Sequence, residues 1–311
     1  MGSALESAIF FTEVGPRDGL QNLDREIDSA AKVDLIEGLL ATGVDQVEAT
    51  AFVSPDWVPQ LADADQVLAQ LAARGGPDAL ARIRVLVPNR RGLERALAAG
   101  AARVIVNVGA TDSFNRRNLN RPVRETLTEI ERVAELAASS GSLWDASISV
   151  AFGCPFEGPV RPEVVLDLAG ELAGMGAAEI SVADTIGVAD PDQVGRMVEL
   201  LGQRLPFARL ALHLHDTRGL GLANALVAYR TGLKRFEGSV GGLGGCPFAP
   251  RSTGNVCSED LLNLLARSGA AVHADVEGLC GVAQGLEGLL QRQLPGRLYR
   301  AGPWPAPSPE A

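Results

Sequence analysis

The chain has 311 residues, 46% hydrophobic and 21% charged, with a formal charge of −10. That length holds one large domain or two modest ones, with room for a substantial core, and the acidic balance argues against a partner gripped by its phosphate backbone, since nucleic-acid binders display a basic patch. No apolar run nears the roughly 18 residues that a membrane span needs, and the N-terminus reaches an apolar run at Ile9 without a positively charged leader, so a cytoplasmic protein is expected.

Short β-branched runs bounded by Gly, Pro or Asp predict eight strands. They fall near Ile9–Gly15, Val44–Thr50, Ile83–Pro88, Val104–Gly109, Ala146–Gly153, Glu179–Asp184, Leu210–His215 and Arg235–Gly241. Amphipathic stretches between them, Ser29–Leu40, Arg91–Ala99, Val123–Ser139, Arg161–Met175, Pro191–Leu205 and Gly219–Thr231, predict helices. Eight βα repeats with no GxGxxG after the first strand favour a closed TIM-type (β/α)₈ barrel over an open doubly wound sheet. Helical material continues through Glu259–Arg267 and Val276–Gln293, and the apolar part Val276–Leu290 is expected to cover a barrel end or form a homodimer contact. A single domain over residues 1–300 and an unstructured tail over 301–311 complete the expected organisation. The four cysteines, Cys154, Cys246, Cys257 and Cys280, form no CxxC pair and are expected as reduced thiols.

The active face of such a barrel lies at the C-terminal strand ends, and polar residues collect there. The first strand runs into Glu13-Val14-Gly15-Pro16-Arg17-Asp18-Gly19-Leu20-Gln21-Asn22; the second ends with Glu48, the sixth with Asp184 and the seventh with His213-Leu214-His215-Asp216. His213 and His215 are two apart on a strand and project from one face. A lone buried histidine is more often a hydrogen-bonded core residue, but this pair at a strand end has the geometry of metal ligands. Asp18 and Asn255 supply oxygen donors from the first strand and from the loop after the eighth, neighbours when the barrel closes. Two imidazoles and two oxygens suit Mn²⁺, Mg²⁺ or Zn²⁺. Arg17 beside Asp18 reads either as an ordinary ion-pair partner or, on this rim, as a fork for an oxyanion such as an enolate.

Gly241-Gly242-Leu243-Gly244-Gly245-Cys246-Pro247 follows the eighth strand, and so dense a glycine run predicts a mobile lid or a tight phosphate-cradling turn. Cys246 within it is placed to deliver a proton to a carbanion, whereas Cys154 is expected to be a small buried hydrophobe. The only lysines, Lys32 and Lys234, lie away from the rim, which argues against Schiff-base chemistry.

The segments Glu13–Asn22, His213-Leu214-His215-Asp216-Thr217, Gly242-Leu243-Gly244-Gly245-Cys246-Pro247 and Thr253-Gly254-Asn255-Val256, in that order, resemble 3-hydroxy-3-methylglutaryl-CoA lyase, a member of the DRE-TIM metallolyase group. The resemblance runs from about Phe10 to Leu265. It implies cleavage of a 3-hydroxyacyl-CoA to acetyl-CoA and an oxo acid, with Asp18, His213, His215 and Asn255 on a divalent metal, Arg17 on the thioester enolate and Cys246 in proton transfer. Glu48 and Asp184 would orient the site, with Asp184 or a histidine as the base.

Three positions depart from the family pattern: Gly109-Ala110-Thr111-Asp112 after the fourth strand, Arg251-Ser252 after the proline, and Glu237 in place of a usual aspartate. Read as facing the acyl chain and CoA, they leave open a different substrate such as citramalyl-CoA or an isoprenoid-derived 3-hydroxyglutaryl-CoA. Two other readings compete: a condensing synthase of the same metal-barrel group, against which Cys246 argues, and a silent CoA-ester binder.

Overall fold

The structure is a computed structural model and describes residues 8–245 and 254–304. Eight parallel strands close into a barrel: β1 (Phe10–Glu13), β2 (Gln46–Ala51), β3 (Ile83–Leu86), β4 (Arg103–Gly109), β5 (Leu143–Ser149), β6 (Ile180–Asp184), β7 (Leu210–Leu214) and β8 (Arg235–Gly238). Each pairs with its neighbours in chain order, and β1 closes against β8 through Phe10↔Arg235 to Glu13↔Gly238. The predicted eightfold βα architecture is therefore present.

Alternation along each strand divides the side chains between two environments. Outward residues such as Phe11, Val47, Val85, Val104, Val182, Leu212 and Phe236 are buried under the helical ring. The inward set is strongly polar for a barrel interior, with Thr12, Gln46, Glu48, Arg84, Asp145, Ser181, His213 and Glu237 all buried.

Helix starts follow the local chemistry. Asp28 caps Ser29–Ala41 by accepting from the Ala31 N–H, and Asp190 with Gln193 forms a reciprocal cap on Pro191–Gly202. Two helices of two turns or more lie outside the predicted set: Ala64–Gly75, which buries Ala64, Val67, Leu68 and Leu71, and the polar Asp112–Leu119, ended by Asn120 at φ +56°. The fifth strand stops at Ser149 rather than reaching Gly153, because Val150 turns to φ +53°, where its N–H meets the Thr185 hydroxyl at 2.8 Å. Helix Val276–Leu290 packs on Ser29–Ala41, Ser258–Arg267 and the Val240–Gly242 turn, so within the chain it covers the flank where the barrel closes. The lysines lie outside the barrel interior: Lys32 Nζ pairs with Asp63 at 2.6 Å, and Lys234 Nζ sits 4.0 Å from the Tyr229 ring centroid. No helix among the described residues is long and apolar enough to cross a membrane.

Candidate metal centre

After Glu13 the chain makes one wide helical turn over Gly15–Gly19, with the Gly19 and Asp18 N–H groups both directed at the Val14 carbonyl. The turn carries Arg17 and Asp18 back over the barrel mouth. Glu13, fully buried, fixes it from beneath: Oε1 accepts the Gly15 N–H (2.7 Å) and the Val240 N–H (3.0 Å), while Oε2 accepts the Ser258 hydroxyl (2.5 Å). One carboxyl thus ties the Arg17-Asp18 turn to the root of the glycine loop. Burial pushes its pKa up to about 8 against the lowering effect of those hydrogen bonds.

The histidines arrive on β7. The register Glu237↔His213 sets a carboxylate beside the first imidazole, and Glu237 Oε2 lies 3.0 Å from His213 Nδ1. This makes Nδ1–H the donor and leaves the Nε2 lone pair directed into the mouth. His215 Nε2 lies 3.2 Å from His213 Nε2, and Asp18 Oδ2 is 4.0 Å from the same atom.

The fourth residue comes from after the glycine loop. Residues 254–257 return beside β7 and β8: Asp216 N–H bonds the Gly254 carbonyl, Val256 N–H the Leu214 carbonyl, and His215 pairs with Asn255. Asn255 Nδ2 then donates to Asp18 Oδ2 at 2.7 Å and to the Leu243 carbonyl at 3.1 Å.

Ligand atoms of Asp18, His213 and His215 all lie within 4.8 Å of one another, and all three residues are buried. Asn255 Oδ1 is buried with no hydrogen-bond partner among the described residues, and an amide half-turn would bring it to where Nδ2 now stands. Two facing imidazole nitrogens, a carboxylate and an unsatisfied amide oxygen form a donor set that fits a divalent cation.

Electrostatics agree with that fit. Burial alone would raise Asp18, but the Arg17 guanidinium and the two imidazoles hold it below the usual carboxylate range. Burial and the neighbouring His213 push His215 down to about 4, so its imidazole is neutral and able to ligate. Burial would lower His213, and the Glu237 hydrogen bond raises it instead.

Arg17 is held at both ends. Its Nε donates a short hydrogen bond to Glu48 Oε1 and its Nη1 donates to Asp18 Oδ1 at 2.7 Å, while Nη2 donates to no acceptor among the described residues. Gln21 Nε2 adds a second donor to Asp18 Oδ1 at 2.7 Å.

Of the residues singled out in the sequence, Arg17, Asp18, Glu48, His213, His215 and Asn255 form one connected cluster. Asp184 hydrogen-bonds to none of them, its two oxygens accepting the Val188 and Ala189 N–H groups at 2.9 and 3.0 Å and so holding the loop after β6. Cys246 and Arg251-Ser252 lie outside the described residues. The described start of the glycine stretch is anchored: Gly241 N–H bonds Glu259 Oε2, and Asn255 Nδ2 bonds the Leu243 carbonyl. Glu237 does not line an acyl-chain loop; it is an inward strand residue beneath His213, 5% exposed. Cys154 is buried as expected, with its sulfur accepting the Thr111 hydroxyl at 3.1 Å, and Cys154, Cys257 and Cys280 are free thiols. The residues that sequence reasoning passed over are Glu13, quoted only as a strand end, and Arg84, whose signal was a single charge inside the apolar run Ile83–Leu86.

The HMGL-like family model matches residues 8–285. Among known proteins, (R)-citramalyl-CoA lyase of Chloroflexus aurantiacus is 42% identical over 302 residues, spanning 95% of each chain. Hydroxymethylglutaryl-CoA lyase of Pseudomonas mevalonii is 43% identical over 275 residues, spanning 88% of this chain and 90% of its own. The solved structure of an HMG-CoA lyase from Acinetobacter baumannii, in complex with coenzyme A and 3-methylmalate, superposes with a TM-score of 0.91 at 34% identity over 98% of this chain and 100% of that one.

Proposed function

Because the chain belongs to the HMGL-like family, we propose that it is a divalent-metal-dependent carbon–carbon lyase that splits a 3-hydroxy-3-methylglutaryl-CoA-type thioester into acetyl-CoA and an oxo acid, acetoacetate for 3-hydroxy-3-methylglutaryl-CoA itself. The observation that carries this reading is the convergence of Asp18, His213 and His215 ligand atoms within 4.8 Å, with the Arg17 guanidinium bonded to the same Asp18.

Asp18, His213, His215 and Asn255 would hold the cation, Mg²⁺ or Mn²⁺ being suited to its two oxygen donors and Zn²⁺ to its two imidazoles. When bound, it supplies Lewis-acid neutralisation of negative charge on the substrate oxygens. The tertiary hydroxyl gives its proton to a base, a histidine of the site, its oxygen electrons form the new carbonyl, the adjacent carbon–carbon bond breaks, and the pair moves onto the thioester as an enolate. Arg17 stabilises that enolate oxygen through Nη2, the donor that Glu48 and Asp18 leave free. Cys246 then delivers the proton that turns the enolate carbon into the methyl of acetyl-CoA. Asp184 acts at a distance, by fixing the loop after β6. The partner is a small-molecule acyl-CoA.

A second substrate has a specific observation in its favour. The citramalyl-CoA lyase match extends over 95% of the chain, against 88% for the Pseudomonas mevalonii enzyme, at nearly equal identity. Citramalyl-CoA has its carboxylate one methylene nearer the carbinol carbon and would yield pyruvate by the same bond cleavage. Incubating the Mn²⁺-loaded protein with both thioesters and identifying products by mass separates the readings: acetoacetate from one, pyruvate from the other. No product from either would overturn the proposal.

A further inference from the structure

Beneath the metal centre the barrel is filled by charge. Arg84 projects inward from β3 and is fully buried. Its Nε and Nη2 both donate to Glu48 Oε2, at 2.9 and 2.6 Å, and Nη2 also donates to Glu237 Oε1 at 2.7 Å. Its Nη1 faces Glu179 Oε1 at 3.2 Å and Asp145 Oδ2 at 3.7 Å.

The four carboxylates do not lead to the same place. Glu179 continues to Arg235 and Asp145 to Arg103, at the far end of the barrel. Glu48 and Glu237 lead up to the rim, where their second oxygens bond Arg17 Nε and His213 Nδ1 respectively. Strand register makes both arms: Glu48 pairs with Arg84 across β2 and β3, and Glu237 with His213 across β8 and β7. A single guanidinium therefore joins the residue assigned to the enolate with a residue assigned to the cation.

We propose that Arg84 is a positioning residue, whose fork spans Glu48 and Glu237 and thereby fixes Arg17 and His213 relative to each other. The proposal rests on the metal-lyase reading above. A barrel interior filled for packing alone would not need one donor atom to serve both rim-directed carboxylates. A lysine keeps the charge but concentrates it at one point and loses the planar fork that reaches both.

The test is Mn²⁺ binding to the substrate-free protein by electron paramagnetic resonance, with kcat and KM measured alongside. Arg84→Lys is expected to weaken Mn²⁺ binding about tenfold, the scale of lost support behind a metal ligand, and to lower kcat while KM stays within about threefold. Glu179→Gln removes a partner of the same guanidinium on the arm leading away, and is expected to lower thermal stability while leaving Mn²⁺ affinity within about twofold. If both variants weaken Mn²⁺ in proportion to lost stability, or Arg84→Lys leaves affinity and kcat unchanged, Arg84 is only packing and the proposal is overturned. Should Arg84→Lys fail to fold, Glu48→Gln and Glu237→Gln carry the test, singly and together: a shared guanidinium predicts non-additive losses of Mn²⁺ affinity, and additive losses overturn it. A wild-type protein that binds no Mn²⁺ overturns the metal-lyase reading itself, whereas Mn²⁺ binding that responds as described without turnover leaves Arg84's role standing and removes only the assigned reaction.

Discussion

Asn255 lies 237 residues beyond Asp18, yet its Nδ2 sits 2.7 Å from the Asp18 carboxylate oxygen. Closure of β1 against β8 brings them together, and the return of residues 254–257 alongside β7 completes the approach. The site is thus a property of the closed barrel and not of any one segment.

That return depends on a contact only glycine allows. A Cβ at Gly254 would stand 2.5 Å from the Gly244 carbonyl oxygen, with other backbone atoms of Gly244 at 2.6 and 2.8 Å. Gly254→Ala is expected to destabilise the fold by about 1–3 kcal/mol and to weaken Mn²⁺ binding by displacing Asn255. Thermal unfolding and metal titration of the same sample check both, and unchanged metal affinity would detach Asn255 from the site.

Arg17→Gln keeps a hydrogen-bonding side chain but removes the charge proposed to stabilise the enolate. Loss of one such donor typically costs on the order of 10²–10³ in kcat. The far-ultraviolet circular dichroism spectrum should be unchanged while turnover collapses. Turnover within tenfold of the parent would show that the enolate is stabilised elsewhere.

Cys246→Ser retains size and removes most of the proton-donating ability of the thiol. If proton delivery rests on this residue, kcat falls by about 10²–10⁴ while Mn²⁺ affinity holds. Stopped-flow detection of the oxo acid would then show cleavage preceding acetyl-CoA release, and coincident release at the parent rate would remove Cys246 from the mechanism.

Glu13 gives a stability prediction independent of catalysis. Its folded pKa is raised to about 8 from the ordinary 4.5, so between those values the folded state keeps a proton that the unfolded chain releases. Stability must then fall as pH rises through that window, by up to about 1.4 kcal/mol per pH unit from this group, and level off above pH 8. Glu13→Gln carries no such proton, and its amide oxygen can still accept the Gly15 and Val240 N–H groups. The variant should gain on the parent from pH 5 to pH 8.5 in urea unfolding; parallel pH profiles would show that Glu13 is ionised in the fold.

Much of this is legible in the sequence. The 2-residue period of His213 and His215, the Arg17-Asp18 turn at a strand end and Asn255 after the eighth strand each carry a local signature, and barrel closure supplied the rest. Arg84, Glu237 and Glu13 were not legible as a system, because their partners are set by inter-strand register, which one sequence does not display. The sequence extends β5 too far because Val150, a β-branched residue favouring strands, here takes a left-handed turn held by the Thr185 hydroxyl. Helix Asp112–Leu119 escaped because it lacks an apolar stripe wide enough to see.

The most direct test is turnover of 3-hydroxy-3-methylglutaryl-CoA and citramalyl-CoA before chelation, after exhaustive chelation, and after Mn²⁺ is restored. Loss of acetyl-CoA formation on chelation and its return with Mn²⁺, in the parent but not in His215→Ala, is the predicted result. Undiminished cleavage in the stripped protein would contradict the account at its centre.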